Sequence, residues 1–137
     1  MNKFEKLNAF LANYADKDFA TGVNDCALFV SDWTLELTGE DLAAPFRGRY
    51  KTDLGSARLI KKLGYQSLED LVSKEFDRVA VRRSSPLLAQ RGDVAWIKGR
   101  KECVCGLVGP QGVIVLGENG LNVLPMSSIQ TAWEIVS

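Results

Sequence analysis

The period of the apolar residues changes once along this chain, at Ser84-Ser85-Pro86, and that change limits the fold more than any single residue does. Upstream, apolar positions recur at helical spacing; downstream they gather in short runs between turns. Phe4, Leu7, Leu11 and Tyr14 predict an amphipathic helix over residues 3 to 14. Asp16 to Val23 reads as a loop with Thr21-Gly22 as its turn. Asn24 or Asp25 then caps a second helix. On it Cys26, Val30, Trp33 and Leu37 share one stripe, and Leu28 and Leu35 add another, so this helix should be packed on more than one side. Thr38-Gly39 ends it, glycine suiting the left-handed position after a helix. Residues 40–52 read as irregular. Asp53 can cap a third helix running to Gly64, and Ser67-x-x-Asp70 resembles a capping box that opens a fourth through Phe76.

Beyond Pro86 the expected order is a turn at Gln90-Arg91-Gly92-Asp93, a strand over Val94 to Ile97, and a turn at Lys98-Gly99-Arg100-Lys101. Strands follow at Cys103 to Val108 and Val113 to Leu116. Gly117-Glu118-Asn119-Gly120 is a hairpin loop with an Asn-Gly step, followed by strands at Leu121 to Leu124 and Thr131 to Val136. Helices first and an antiparallel meander second predict an α+β fold. No repeat or linker divides the chain, so residues 1–137 read as a single domain.

Lys plus Arg and Asp plus Glu are both 17, for a formal net charge of zero, so no global field draws in nucleic acid or anionic lipid. The local clusters Arg47/Arg49/Lys51, Arg78/Arg82/Arg83 and Lys98/Arg100/Lys101 read more readily as solvated edges than as binding patches. Three cysteines are too few and too unevenly spaced for a disulfide scaffold. Cys103 and Cys105 form C-x-C, and without histidine three thiols fall one ligand short of a closed zinc site, so neither metal nor other cofactor is expected. The N-terminus lacks the apolar core of a signal peptide, and no apolar run reaches membrane-spanning length.

Asn24-Asp25-Cys26-Ala27-Leu28-Phe29-Val30 is the stretch with most chemical content. A thiol in the first turn of a helix lies at the positive end of the macrodipole, beside N–H groups without helical partners. Both favour thiolate, while Asp25 opposes it. Against this, Cys26 fits an apolar stripe, and cysteine is among the most buried residue types. A thiol nucleophile also needs a base, usually histidine, and this chain contains none. Phe46-Arg47-Gly48-Arg49-Tyr50 is a second candidate: Arg47 and Arg49 can grip a carboxylate or phosphate, or simply order their own loop. Trp33, Trp96 and Trp133 read as core anchors.

Asn-Asp-Cys-x-x-Phe-Val at the mouth of a helix resembles the nucleophile motif of NlpC-type cell-wall peptidases, a compact papain-like family. Gly92-Asp93-Val94-Ala95-Trp96 is similar to that family's Gly-Asp strand entry. The resemblance places Cys103, in Cys103-Val104-Cys105-Gly106-Leu107-Val108-Gly109, where the family has its catalytic histidine, and so opposite Cys26. A wider resemblance is to small proteins of phage and prophage tail-gene clusters. It rests on the Asp-Cys helix, Phe46 to Tyr50, Gln90 to Asp93, and Leu124-Pro125-Met126-Ser127 with Trp133.

These resemblances imply a papain-like domain whose groove outlived its Cys-His pair, with other phage tail proteins as partners. The N-terminus without a signal-peptide core and the few cysteines predict a reducing cytoplasm, which the resemblance makes that of a bacterial host, or a place in a phage particle. The implied site is Cys26 as nucleophile position and Cys103 as histidine position, with Asp25, Arg47, Arg49 and Asp93 as binding candidates. The expected function is non-catalytic, in tail assembly or structure. Two alternatives stand beside it. One is a cysteine hydrolase with an unconventional or partner-supplied base, acting on peptidoglycan peptides or a tail protein. The other is a thiol-redox protein pairing Cys26 with Cys103 or Cys105.

Overall fold

The computed structural model describes residues 1–98, 103–117 and 119–136, and of Cys103 only the backbone. Four helices come first: α1 (Lys3–Ala15), α2 (Cys26–Thr38), α3 (Asp53–Lys62) and α4 (Leu68–Val79). Six strands follow: β1 (Val81–Arg82), β2 (Val94–Lys98), β3 (Cys103–Val108), β4 (Val113–Gly117), β5 (Gly120–Leu124) and β6 (Ile129–Glu134). The fold is mixed α+β, with N-terminal helices on a C-terminal antiparallel sheet.

Local chemistry explains most boundaries. Asn2 and Glu5 close a capping box over α1. Gly39 takes a φ of 78° after α2, and its N–H bonds the Leu35 carbonyl. Thr52, not Asp53, is the N-cap of α3: the Thr52 hydroxyl accepts from Gly55, and Asp53 becomes a first-turn acid favourable to the helix dipole. Ser67 caps α4 as expected, but the Asp70 carboxylate accepts from Gln66 N–H, one residue outside a true box. α4 also continues past Phe76 to Val79.

The sheet order is β1-β6-β2-β3-β4-β5. Only β2 to β5 form the expected meander. The final strand turns back to pair with β2, and two residues just after α4 form β1 at its outer edge. That return is set by packing: Trp133 must lie over Phe76 of α4, with ring centroids 5.7 Å apart. The β4–β5 hairpin closes on a Gly117–Gly120 pair, so Gly120 already belongs to β5. Lys98, expected to open a basic turn, ends β2 instead, and the rest of that turn, Gly99 to Lys101, lies with Glu118 outside the described residues.

Strand alternation sorts the sheet into two faces. Val94, Trp96, Cys105, Leu107, Ile114, Leu116 and Trp133 face the helices and join Leu7, Phe10, Tyr14, Phe29, Val30, Trp33 and Phe76 in the main core. Ala95, Ile97, Val108, Val113, Val115, Ile129 and Ala132 form a smaller core on the other face. α2 packs on β3 and β4 and is buried nearly all round, as its double stripe predicts. Leu35 departs from that prediction at 38% exposure, and Phe4 of α1 is 45% exposed, its place in the core taken by Phe10. Phe4 instead lies beneath the Arg91 guanidinium, 4.5 Å from the ring centre. The three tryptophans are core anchors, as expected.

Candidate functional site

The start of α2 is held by a tight polar knot. Asp25 is extended at the N-cap, and its Oδ1 accepts from Leu28 N–H at 3.0 Å. Its Oδ2 accepts from Gly22 N–H at 3.0 Å and from the Tyr50 hydroxyl at 2.5 Å. Gly22 has a φ of +84°, and a Cβ there would lie 2.0 Å from the Tyr50 carbonyl oxygen, so only glycine lets these two loops meet. Burial, and next the bond to Asp25, push the Tyr50 hydroxyl well above its ordinary range and keep it a donor. Both oxygens of Asp25 thus serve internal donors, a structural role for a residue expected as a binding candidate.

Cys26 follows as the first residue of α2, half-buried, and packs against the main core at Cys105. Cys105 is completely buried on β3, directly opposite Trp96 of β2. Its thiol hydrogen-bonds Cys26. That bond first, then burial, raises the Cys105 pKa well above a free thiol's and holds Cys105 as S–H. Cys26 and Cys105 are both thiols. Cys105 thus sets a protonated thiol against Cys26, and that thiol cannot act as a general base at neutral pH. Cys103, the residue expected opposite Cys26, pairs through its backbone with Lys98, and its side chain lies outside the described residues.

The remaining candidates are engaged within the chain. Arg47 bridges Asp32 of α2 and Asp41 in the following loop, with Nε 2.8 Å from Asp41 Oδ2. It grips carboxylates, as its chemistry suggests, but they are the protein's own. Asp32 also accepts from the Tyr14 hydroxyl, whose pKa burial and this bond raise. Arg49 is exposed, with one guanidinium nitrogen 2.8 Å from the Pro45 carbonyl. Asp93 is fully buried. It takes two bonds from Arg83, at 2.9 and 3.0 Å, and one from Gln90 N–H at 2.9 Å. Arg83 is only 17% exposed, so it does not belong to the solvated edge expected of its cluster. The neighbouring Gly92 carbonyl accepts from Trp33 Nε1 at 2.9 Å, fastening α2 to the start of β2.

Sequence reasoning missed Tyr50 as the donor to Asp25, Arg83 as the partner of Asp93, and Asp32 as the anchor of Arg47. Each pairing joins distant segments, and no local pattern announces it. The Phe46 to Tyr50 motif was the nearest signal, since it flagged both Arg47 and Tyr50.

A cavity of ≈ 50 Å³ lies beneath α2 between the 40s loop, α3 and α4, lined among others by Leu28, Phe46, Tyr50, Ile60 and Phe76. It is mostly apolar and far below the several hundred Å³ of a small-molecule site. Cys26 is not in its lining. Among the described residues no group of three or more Cys, Asp or Glu is arranged to hold a metal ion, and no helix is long and apolar enough to cross a membrane.

No curated protein gives a match to this chain. Residues 2–135 match the family model described as Domain of unknown function (DUF6950), and the chain belongs to that family.

Proposed function

We propose that this chain is a non-catalytic domain of papain-like, NlpC-type descent and of phage or prophage origin, acting in tail assembly or structure. The observation that carries the non-catalytic part is that a buried, protonated Cys105 is set against Cys26 in a chain without histidine. General-base assistance is worth about 10²–10⁴-fold in such reactions, and here Cys26 would forgo it. The cysteine at a helix start, packed on a strand of an antiparallel sheet, supports papain-like descent. The internal engagement of Asp25, Arg47 and Asp93 supports a scaffold role for the former groove. The tail setting rests on the resemblance of the Asp-Cys helix, the Phe46 to Tyr50 loop and the Leu124 to Ser127 segment. The test is genetic: in the source phage or prophage, loss of the gene should stop tail formation, while Cys26→Ala should leave particle yield and infectivity unchanged. A folded Cys26→Ala protein that abolishes infectivity would sink the reading.

One observation favours a second reading, a cysteine hydrolase acting on peptidoglycan peptides or a tail protein. Cys26 is only half-buried and sits at the positive end of α2. That reading requires a base from a partner chain. Release of peptide fragments by the wild type in its assembled state, and not by Cys26→Ala, would establish it.

A further inference from the structure

Cys26 and Cys105 make a dithiol that the scaffold role leaves unused. The two sulfurs differ in access: Cys26 is half-buried at the first turn of α2, and Cys105 is completely buried on the strand beneath it. They also differ in electrostatics. The dipole of α2 favours an anionic sulfur at Cys26, against the opposing charge of the neighbouring Asp25. The bond to Cys26, burial, and the charges of Cys26 and Asp25 all disfavour a second anion at Cys105. A small oxidant thus meets an outer sulfur suited to attack it, with an inner thiol already hydrogen-bonded to that sulfur.

We infer that Cys26 is a modification site for hydroperoxides and that Cys105 is its resolving thiol, closing a Cys26–Cys105 disulfide. In the first step the Cys26 thiolate attacks a peroxide oxygen. The O–O bond breaks, an S–O bond forms, and the departing hydroxide or alkoxide takes up a proton. In the second step Cys105 loses its proton and its sulfur attacks the Cys26 sulfenic acid. The S–S bond forms, the S–O bond breaks, and hydroxide leaves with that proton as water. The two sulfurs together lose two electrons and the peroxide gains them. A dithiol reductant reverses the change. Glutathione-rich compartments keep such a pair reduced, so closure reports exposure to oxidant.

The experiment treats the folded, freshly reduced wild type with hydrogen peroxide, blocks remaining thiols with a maleimide, and maps peptides without reduction. The expected result is loss of both thiols to a Cys26–Cys105 link within one chain, restored by dithiothreitol. The bridged form should also unfold at a higher urea midpoint, because the link closes a long loop. In Cys105→Ala, Cys26 should stop at a sulfenic acid that dimedone traps, and then overoxidise. The inference fails if Cys26 stays reduced, if it bridges to Cys103 or to a second chain, or if wild-type Cys26 overoxidises as fast as in Cys105→Ala. Should Cys105→Ala not fold, the wild-type map alone decides between these outcomes.

Discussion

Asp25 accepts three hydrogen bonds from three separate pieces of chain: the turn at Gly22, the helix at Leu28 and the loop at Tyr50. Asp25→Ala removes the cap of α2 and leaves buried donors without acceptors. The expected loss is about 3 kcal/mol in urea unfolding, roughly 1 for the cap and the rest for the stranded donors. Tyr50→Phe keeps the ring and removes one donor, and should cost about 1 kcal/mol. At Cys26 and Cys105 the difference in burial predicts a difference in reactivity. Iodoacetamide should modify Cys26 in the native protein and reach Cys105 only after unfolding, as peptide mapping by mass spectrometry would show. Native labelling of Cys105 at the rate of Cys26 would contradict the packing of β3 against α2.

Two arginines fasten one element to another, and their burial sets different energies. Arg83 pairs with Asp93 where almost no water reaches, so Arg83→Met strands a buried carboxylate and should cost about 3–5 kcal/mol. Arg47 ties the 40s loop to α2 at a site about one-third exposed, so Arg47→Met should cost only about 1 kcal/mol, and less in high salt. Equal losses in urea titrations would refute this ordering. The Arg47 clamp also has a pH signature. Its hydrogen bond to Asp41 holds that carboxyl below the ordinary 3.8. A carboxyl with a lowered folded pKa stabilises the fold above its unfolded value, and the contribution disappears as pH falls from 3.8 through the lower folded value. Asp77, which bonds Arg82 and Trp133, has the same sign. Stability should therefore drop on acidification below about pH 4, and the drop should be smaller in Arg47→Met.

At the scale of the molecule, one core joins the two halves: α1, α2 and α4 meet the inner sheet face through Phe10, Trp33, Phe76, Trp96, Leu107 and Trp133. Helix and sheet should then unfold together. Far-ultraviolet circular dichroism and tryptophan fluorescence should give coincident urea transitions, and a gap between them would mean that the halves are separable. The break at Ser84-Ser85-Pro86 was legible as the change from helical to strand periodicity because each period is a local property of the chain. So were a cap at Asn24 or Asp25, which the structure places at Asp25, the cap at Ser67, the glycine stop of α2 and the five longer strands to within two or three residues at their ends. The path of β6 was not legible, because its pairing with β2 is chosen by Trp133 packing on α4, far away in sequence. β1 was missed for the same reason: two residues hold strand geometry only because β6 lies beside them. In the candidate site, the sequence by itself determined that Cys26 opens a helix behind an acidic cap and that no histidine can serve it. Only the tertiary structure decided that a buried thiol, Cys105, is set against Cys26 and that Asp25, Arg47 and Asp93 face their own chain. The physical reason is that capping and periodicity act over a few neighbouring residues, whereas burial and charge pairing depend on which distant segments the core draws together.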